Sequence, residues 1–339
     1  MNTMHTDIPK TSTPQLSIVV PMYNEEENIK HFVKRVVQVV APLELDYELL
    51  LVDDGSRDGT WLEIQTAAQL FKTVRGIRLA RNFGHQSALL AGLRAAKGQA
   101  VISMDGDLQH PPEMIPELLK AWKDGARVVS TTRTYSKTTS AFKRFTSSLY
   151  YRIFSYLSEV PMKSGQSDFR LLDRSALEQL LSIRQSDIFL RGAVSWLNYP
   201  ETTIPFVAAD RLHGESKYPL SKMLRFARGG ILAFSTKPLQ IGIAMGLMTS
   251  VFSFAYLVYI LVQHARGQTV EGWSSTLGLL SLLFGVLFIM LGIVGTYLGR
   301  IYIMLQQRPQ YVLEDDDRLL RKNESDVQSE PQKAKSANS

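Results

Sequence analysis

Short apolar runs alternate with stretches of helical period through the first part of the chain. Leu16–Pro21, Glu48–Asp53, Gly76–Leu79, Ala100–Met104 and Arg127–Thr131 read as strands. Glu25–Val40, Thr60–Phe71, Gln86–Lys97 and Pro112–Lys123 read as helices, the first capped by Asn24. This βαβα series predicts an α/β domain, a mostly parallel sheet with helices on both faces. Ligands of such sheets sit beyond the carboxyl ends of the strands. Two acidic clusters fall at those ends.

The pattern then changes. Ser140–Val160 places Phe142, Phe145, Leu149, Ile153 and Phe154 at helical spacing, with Lys143, Arg144 and Arg152 between them. Pro219–Phe234 repeats this with Leu220, Leu224, Ala227 and Ile231 against Lys222, Arg225 and Arg228. Both suit helices lying in a lipid interface, and the first equally suits a helix facing a protein core. Pro238–Ala265 and Gly272–Gly299 hold no Asp, Glu, Lys or Arg, and each runs for about 28 residues. At 1.5 Å rise per residue that is enough to cross a hydrocarbon core of ~30 Å. The expected organisation is a disordered N-terminus over 1–15 and a cytosolic catalytic domain over 16–218. A juxtamembrane helix over 219–236 and two spans within 237–300 (about 238–263 and 274–298) follow. Residues 301–339 are expected to form a cytosolic C-terminal segment and a disordered tail.

Composition sharpens this picture. The 339 residues are 45% hydrophobic, which excludes a wholly disordered chain, and contain no Cys. Disulfide frameworks, thiol catalysis and Cys-ligated metal centres are therefore excluded. The net charge of +6 asks for an anionic partner. The bases gather beside the apolar helices, which favours a bilayer surface over nucleic acid. Lys222, Arg225, Arg228 and Lys237 precede the first span, and Arg300 and Arg308 follow the second. The link holds only Arg266, offset by Glu271. The positive-inside bias thus predicts a multi-pass protein of the inner (cytoplasmic) membrane with both termini and the catalytic domain cytoplasmic. Met1–Gln15 has no apolar core of the signal-peptide kind.

The first acidic cluster is Asp53-Asp54-Gly55-Ser56-Arg57-Asp58-Gly59-Thr60. Two carboxylates leaving a strand before a Gly turn suit base and ribose hydroxyls, and equally suit turn chemistry with a helix cap. The second is Met104-Asp105-Gly106-Asp107-Leu108-Gln109-His110-Pro111-Pro112. Asp105 and Asp107 flank a glycine, and Gln109 adds an oxygen. Hard oxygen donors suit Mg²⁺ or Mn²⁺, whose task would be to neutralise a diphosphate.

These residues carry a resemblance. Val20-Pro21-Met22-Tyr23-Asn24-Glu25, Val52–Asp58 and Asp105–Glu113 resemble glycosyltransferase family 2, and within it the polyprenyl-phosphate sugar transferases. Gly165–Leu171, Arg211–Tyr218 and Gly299–Tyr302 extend the match. Asp168–Leu171, Phe189–Gly192 and Phe234–Thr236 followed by Pro238-Leu239 resemble the bactoprenol glucosyltransferases of O-antigen modification. Aminoarabinose transferases and dolichol-phosphate mannose synthases are near relatives.

The resemblance implies a GT-A fold, with the nucleotide on Pro21, Tyr23, Glu25, Asp53 and Asp54 and near Asp105. It implies a metal on Asp105, Asp107 and Gln109, and an acceptor phosphate at Arg133, Arg144 and Ser148. A loop carrying Arg211, Ser216 and Lys217 is expected over the diphosphate. A lipid phosphate is already ionised near neutral pH, its second pKa being about 6. Asp168 is therefore read as orienting a sugar hydroxyl or Arg170, or steadying charge, rather than as a base. Asp168, Arg133, Arg144 and Lys217 form the expected catalytic set. His85 receives no catalytic role.

The expected reaction is inverting transfer of a hexose, glucose from UDP-glucose by preference, to undecaprenyl (polyprenyl) phosphate. A UDP-aminoarabinose derivative or GDP-mannose remains an alternative donor. A processive synthase fits less well, because there are two spans and Ser195-Trp196 does not match a Gln-x-x-Arg-Trp motif. A non-catalytic scaffold is opposed by the intact Asp105, Asp107, Asp168 and Lys217. A homo-oligomer is left open.

Overall fold

The computed structural model describes residues 13–134, 166–183, 189–207, 235–267 and 272–314. The expected interfacial helices at 140–160 and 219–234, most of the polar N-terminus and the tail from 315 lie outside the described residues.

Strands β1 (Leu16–Met22), β2 (Tyr47–Asp53), β3 (Val74–Arg78), β4 (Ala100–Ser103) and β5 (Val128–Thr134) occur where the apolar runs predict them. Between them run α1 (Glu26–Val40), α2 (Thr60–Leu70), α3 (His85–Ala95) and α4 (Ile115–Lys123). Two details differ from the sequence expectation. Pro112–Met114 forms a 3₁₀ turn ahead of α4, so the helix begins later than Pro112. Asn24 does not cap α1. It adopts a left-handed backbone (φ 52°), and its Oδ1 accepts the Arg57 N–H, while Glu25 stands at the N-cap with its side chain turned to Asn28 Nδ2 rather than to a helix amide.

Four further elements follow: β6 (Gln166–Asp173), α5 (Arg174–Ser182), α6 (Leu190–Leu197) and β7 (Glu201–Val207). The seven strands are ordered β3-β2-β1-β4-β6-β5-β7. Every neighbouring pair is parallel except those made by β6, which runs against both β4 and β5. That single reversal positions the site. It brings the amino end of β6 to the edge where β1, β2, β4 and β5 end, with Ser103 opposite Arg170.

Alternation along the strands loads both faces of the sheet. Ile18, Val20, Leu49, Leu51 and Ile102 pack under α1, α2 and α4, whose Phe32, Val36, Ile64 and Leu118 are buried. Val19, Leu50, Val52 and Val101 pack against α3, α5 and α6. In α1, Ile29, Phe32, Val33, Val36 and Val40 follow the i, i+3, i+4, i+7 spacing of an amphipathic helix.

Two long helices follow, α7 (Lys237–Ala265) and α8 (Trp273–Leu305). Both are long and apolar enough to cross a membrane, and neither buries its apolar span within the protein. They pack on each other through small residues. A Cβ on Gly246 would lie 3.2 Å from Met290 and one on Gly242 3.8 Å from Ile293. Near the base of the pair, Tyr297 Oη donates to Ser235 O at 2.8 Å.

At Gly92, α3 approaches the sheet closely. A Cβ there would stand 2.3 Å from Val19 Cγ1 and 2.8 Å from Val52 Cγ2. An exposed helical Gly→Ala change gains up to about 1 kcal/mol. Here overpacking of about 1–3 kcal/mol reverses the sign. Gly92→Ala is expected to lower the thermal midpoint of the purified protein by several degrees. An unchanged or raised midpoint would mean that the helix can lift off the sheet without cost.

Candidate active site

The turn after β2 is built by its own carboxylates. Asp53 is wholly buried, and its Oδ1 accepts the Ser56 N–H at 3.0 Å. Its Oδ2 lies 3.3 Å from Arg78 Nε. Asp54 accepts the Phe83 N–H at 2.8 Å and the Gly84 N–H at 2.9 Å, thereby tying the turn to the start of α3. Burial pushes the Asp54 carboxyl up, against those two N–H groups. Gly55 has φ +65°, and a Cβ there would meet Arg81 backbone at 2.4 Å. No other residue fits that position without strain.

The strand ends are sewn together across this turn. Ser56 Oγ accepts the Asn24 N–H, Thr60 Oγ1 accepts the Glu25 N–H, and Glu26 Oε2 accepts the Gly59 N–H. Tyr23 is left exposed at the edge while Pro21 is buried beneath it. Asp53 and Asp54, both expected at the nucleotide, lie together in this turn beside Tyr23 and Glu25. In this structure Asp54 spends its oxygens on backbone amides, and Asp53 has no exposed surface. Both organise the turn that presents its neighbours.

The acid turn after β4 is held by His110. The imidazole Nδ1 accepts the Asp105 N–H at 2.9 Å, and Nε2 lies 2.7 Å from Ser167 Oγ. An accepting Nδ1 leaves the proton on Nε2, so the ring is neutral and donates to Ser167. Burial pushes the His110 pKa down, in agreement with that tautomer. The ring stacks on Phe169 at 5.2 Å. Gly106 allows the turn to pass over Met22, whose Sδ would lie 2.3 Å from a Cβ there. Asp107 Oδ1 accepts the Gln109 N–H, and Gln109 Oε1 accepts from Arg133 Nη1 at 3.4 Å. Arg133 therefore reaches the acid turn.

Beside it stands Asp168, at the amino end of the reversed strand. It is buried and held at two points by Arg191, Nε to Oδ1 and Nη2 to Oδ2, both 2.7 Å. Arg170 Nη2 lies farther off, at 3.5 Å from Oδ1. Ser103 Oγ donates to the Asp168 carbonyl at 2.6 Å, locking β6 onto β4. Burial alone would raise the Asp168 pKa. The Arg191 guanidinium overrides it and holds the carboxyl well below the usual range. His85 Nε2, at the first turn of α3, lies 3.5 Å from Asp105 Oδ1 and 3.8 Å from Asp168 Oδ2. Three elements thus converge on one point.

Arg144, Ser148, Arg211, Ser216 and Lys217 lie outside the described residues. Arg191, His85 and His110 were not assigned site roles from the sequence. Arg191 sits in the Phe189-Leu190-Arg191-Gly192 motif, and the reversal of β6 is what brings its partner Asp168 to it.

Asp105 Oδ1 is buried and has no hydrogen-bond partner, which fits a carboxylate meant for a cation. Among the described residues no three His, Asp or Glu side chains gather as a closed metal cage. The acid turn therefore suits an ion such as Mg²⁺ or Mn²⁺ that takes one or two carboxylates and leaves positions for phosphate oxygens and water.

An open α/β sheet with one reversed strand and an acid turn beyond β4 is the GT-A class of glycosyltransferase. The family model described as "Glycosyl transferase family 2" matches residues 17–181. The uncharacterised glycosyltransferase YkcC of Bacillus subtilis is 38% identical over 301 residues, 88% of this chain and 93% of that protein. The bactoprenol glucosyl transferase of Shigella phage SfII is 35% identical, over 90% of this chain and 99% of its own. The prophage bactoprenol glucosyl transferase homolog of Escherichia coli K12 is 34% identical, over 88% and 98%. Among solved structures, the chain is similar to mannosyltransferase PcManGT of Pyrobaculum calidifontis, described in complex with GDP-Man and Mn²⁺. That likeness has 17% identity, covers 83% of this chain and 88% of the other, and has a TM-score of 0.44. The chain belongs to glycosyl transferase family 2, and it is a glycosyltransferase.

The depressed Asp168 pKa has a definite sign. A carboxyl whose native pKa lies below its unfolded value of about 3.9 contributes its full stability above that pH. The contribution is lost only as the pH falls through the native value. Across any ordinary assay range Asp168 is therefore ionised. Asp168→Asn should lower turnover at every pH while leaving the shape of the pH–rate profile unchanged. A wild-type acidic limb that disappears in Asp168→Asn would instead identify a base.

Proposed function

We propose that this enzyme transfers a hexose from a nucleotide sugar to a polyprenyl phosphate at the cytoplasmic face of the inner membrane. Glucose from UDP-glucose and undecaprenyl phosphate are the preferred pair. The observation that carries the reading is a match of about nine-tenths of the chain to relatives named for bactoprenol glucosyl transfer. Two apolar helices of membrane-crossing length, packed on each other, support it.

In this reading the nucleotide lies along Pro21, Tyr23, Glu25, Asp53 and Asp54, on the turn that the two aspartates organise. Asp105, Asp107 and Gln109 would hold a divalent ion, which when bound supplies Lewis-acid stabilisation of the leaving diphosphate. Arg133 guides the acceptor phosphate from its place beside Gln109. Arg144 and Ser148 as further acceptor contacts, and Arg211, Ser216 and Lys217 over the diphosphate, rest on the family resemblance alone. A phosphate oxygen of the lipid attacks the anomeric carbon, and the bond to the nucleoside diphosphate breaks with its electron pair on the leaving oxygen. Attack from the opposite face inverts the carbon. The acceptor brings no proton to remove, and Asp168 bound to Arg191 is too weak a base to remove one. Asp168 fixes Arg191 and the floor of the site instead.

Purified full-length protein should be incubated with undecaprenyl phosphate and a panel of UDP-glucose, GDP-mannose and a UDP-aminoarabinose derivative. A lipid product heavier by one glucosyl unit is the expected result. Product from another donor alone would replace glucose in the proposal. Asp107→Asn should cost about 100-fold or more in turnover at saturating metal, since the ion it helps hold contributes several kcal/mol. Near-normal turnover would remove Asp107 from the metal site.

The basic residues flanking the spans support a cytoplasmic position for the catalytic domain and both termini. The chain has no Cys, so single cysteines report cleanly. A cysteine at Gln268 should label from the periplasmic side and one at Thr13 only from the cytoplasm. Labelling of position 268 only from the cytoplasm would refute the hairpin.

A further inference from the structure

The strand β3 stands at the edge of the sheet, where its outer backbone groups would otherwise stay open. The chain that leaves α8 comes back to cover its end. Leu313 pairs with Leu79 in an antiparallel bridge. The Ala80 N–H donates to Val312 O and the Glu314 N–H to Arg78 O, each at 2.9 Å. On its other side Leu79 N–H donates to Asp53 O at 2.9 Å. The returning segment thus lies one strand away from the turn that follows β2. Tyr311 anchors it, with the Arg94 guanidinium 5.6 Å from its ring.

Side chains repeat the backbone path. Glu314 Oε2 lies 2.9 Å from Arg78 Nη1, and Arg78 Nε lies 3.3 Å from Asp53 Oδ2. Arg78 also sits 5.6 Å from the Trp61 ring of α2. Asp53 is wholly buried, and Arg78 is its cation among the described residues. A buried carboxylate holds its place only with a compensating charge. That charge is in turn held from outside by Glu314.

We propose that Glu314 and Arg78 are positioning residues for nucleotide binding, through which the segment returning from α8 fixes the Asp53 turn. The inference rests on the reading that a nucleotide sugar binds above that turn. Asp53 sets Ser56, which holds the Asn24 N–H and hence the Tyr23–Glu25 edge. Loosening Arg78 should therefore weaken nucleotide binding and leave the chemical step intact.

The sign of the effect separates this role from simple electrostatics. Glu314→Gln removes a negative charge, which by itself favours an anionic nucleotide. The positioning role predicts the opposite. UDP should be titrated, with Mn²⁺ present, into the full-length protein in detergent, wild type first. Glu314→Gln should weaken UDP binding about fivefold, the scale of one partly exposed ion contact. It should raise KM for the nucleotide sugar likewise and leave kcat and the thermal midpoint unchanged. Glu314→Asp, which keeps the charge, should recover part of the affinity. Arg78→Lys should weaken binding in the same direction, because an ammonium cannot hold both carboxylates in the fixed fork of a guanidinium. Unchanged or tighter UDP binding in Glu314→Gln, with a wild type that binds, would overturn the inference alone. A wild type that binds neither UDP nor any nucleotide sugar would overturn the functional reading, and the inference with it.

Discussion

A carboxylate buried at the junction of two antiparallel strands is the constraint on which the acidic edge depends. Asp168 cannot sit in that position without a cation, and Arg191 supplies one through two 2.7 Å contacts. A buried pair of this kind is not strong evidence of net stability, since desolvation offsets most of the Coulomb gain. Losing one partner is another matter, costing about 3–5 kcal/mol because the survivor is left uncompensated. The pair therefore commits α6 to lie beside the start of β6. It also fixes what faces Asp105 across β4, because Ser103 is bonded to the carbonyl of the same residue.

His110 plays the equivalent part in the acid turn. Its neutral ring joins the Asp105 amide to Ser167, so the two sides of the cleft share one brace. Asp54 does the same for the third side, bonding the turn after β2 to the amides that open α3 and carry His85. Each polar brace is satisfied locally and buried. The residues left to meet a ligand, among them Tyr23, Arg133 and the free face of Asp105, are carried by loops whose bases are fixed.

The sequence was informative where burial follows a simple rule. Strands β1 to β5 are apolar runs between turns, and the two membrane-length helices are uncharged for longer than a wet helix tolerates. β6 escaped because its core positions alternate with ionic ones. In Gln166–Asp173, Phe169 and Leu171 are buried beside Asp168 and Arg170, and the charges are hidden by pairing. No local pattern announces that, because Arg191 lies outside the strand. The same limit explains Asn24 and Asp54. Both have the composition of caps or ligand contacts, and which amide each meets depends on a loop more than 25 residues distant in sequence. The acid turn was legible because its spacing is local.

Charge at this edge gives the remaining argument for the chemistry. Asp168 is neutralised by Arg191, so it adds little field to the cleft. Asp105 and Asp107 face it from the next strand, and two carboxylates alone repel a diphosphate. A site meant for anions would not keep them there unless a cation normally sits between acid turn and ligand. Asp105 Oδ1, buried with no hydrogen bond and His85 Nε2 3.5 Å away, is the oxygen in this turn that such a cation would satisfy. The transfer proposed here brings together two anions, a lipid phosphate and a nucleoside diphosphate, and their repulsion opposes the approach that the reaction needs. Fixed guanidinium groups and a divalent ion can offset that repulsion without exchanging protons. An edge whose carboxylates are either paired with arginine or reserved for a cation is therefore suited to joining two anions, and a titrating base would add nothing to it.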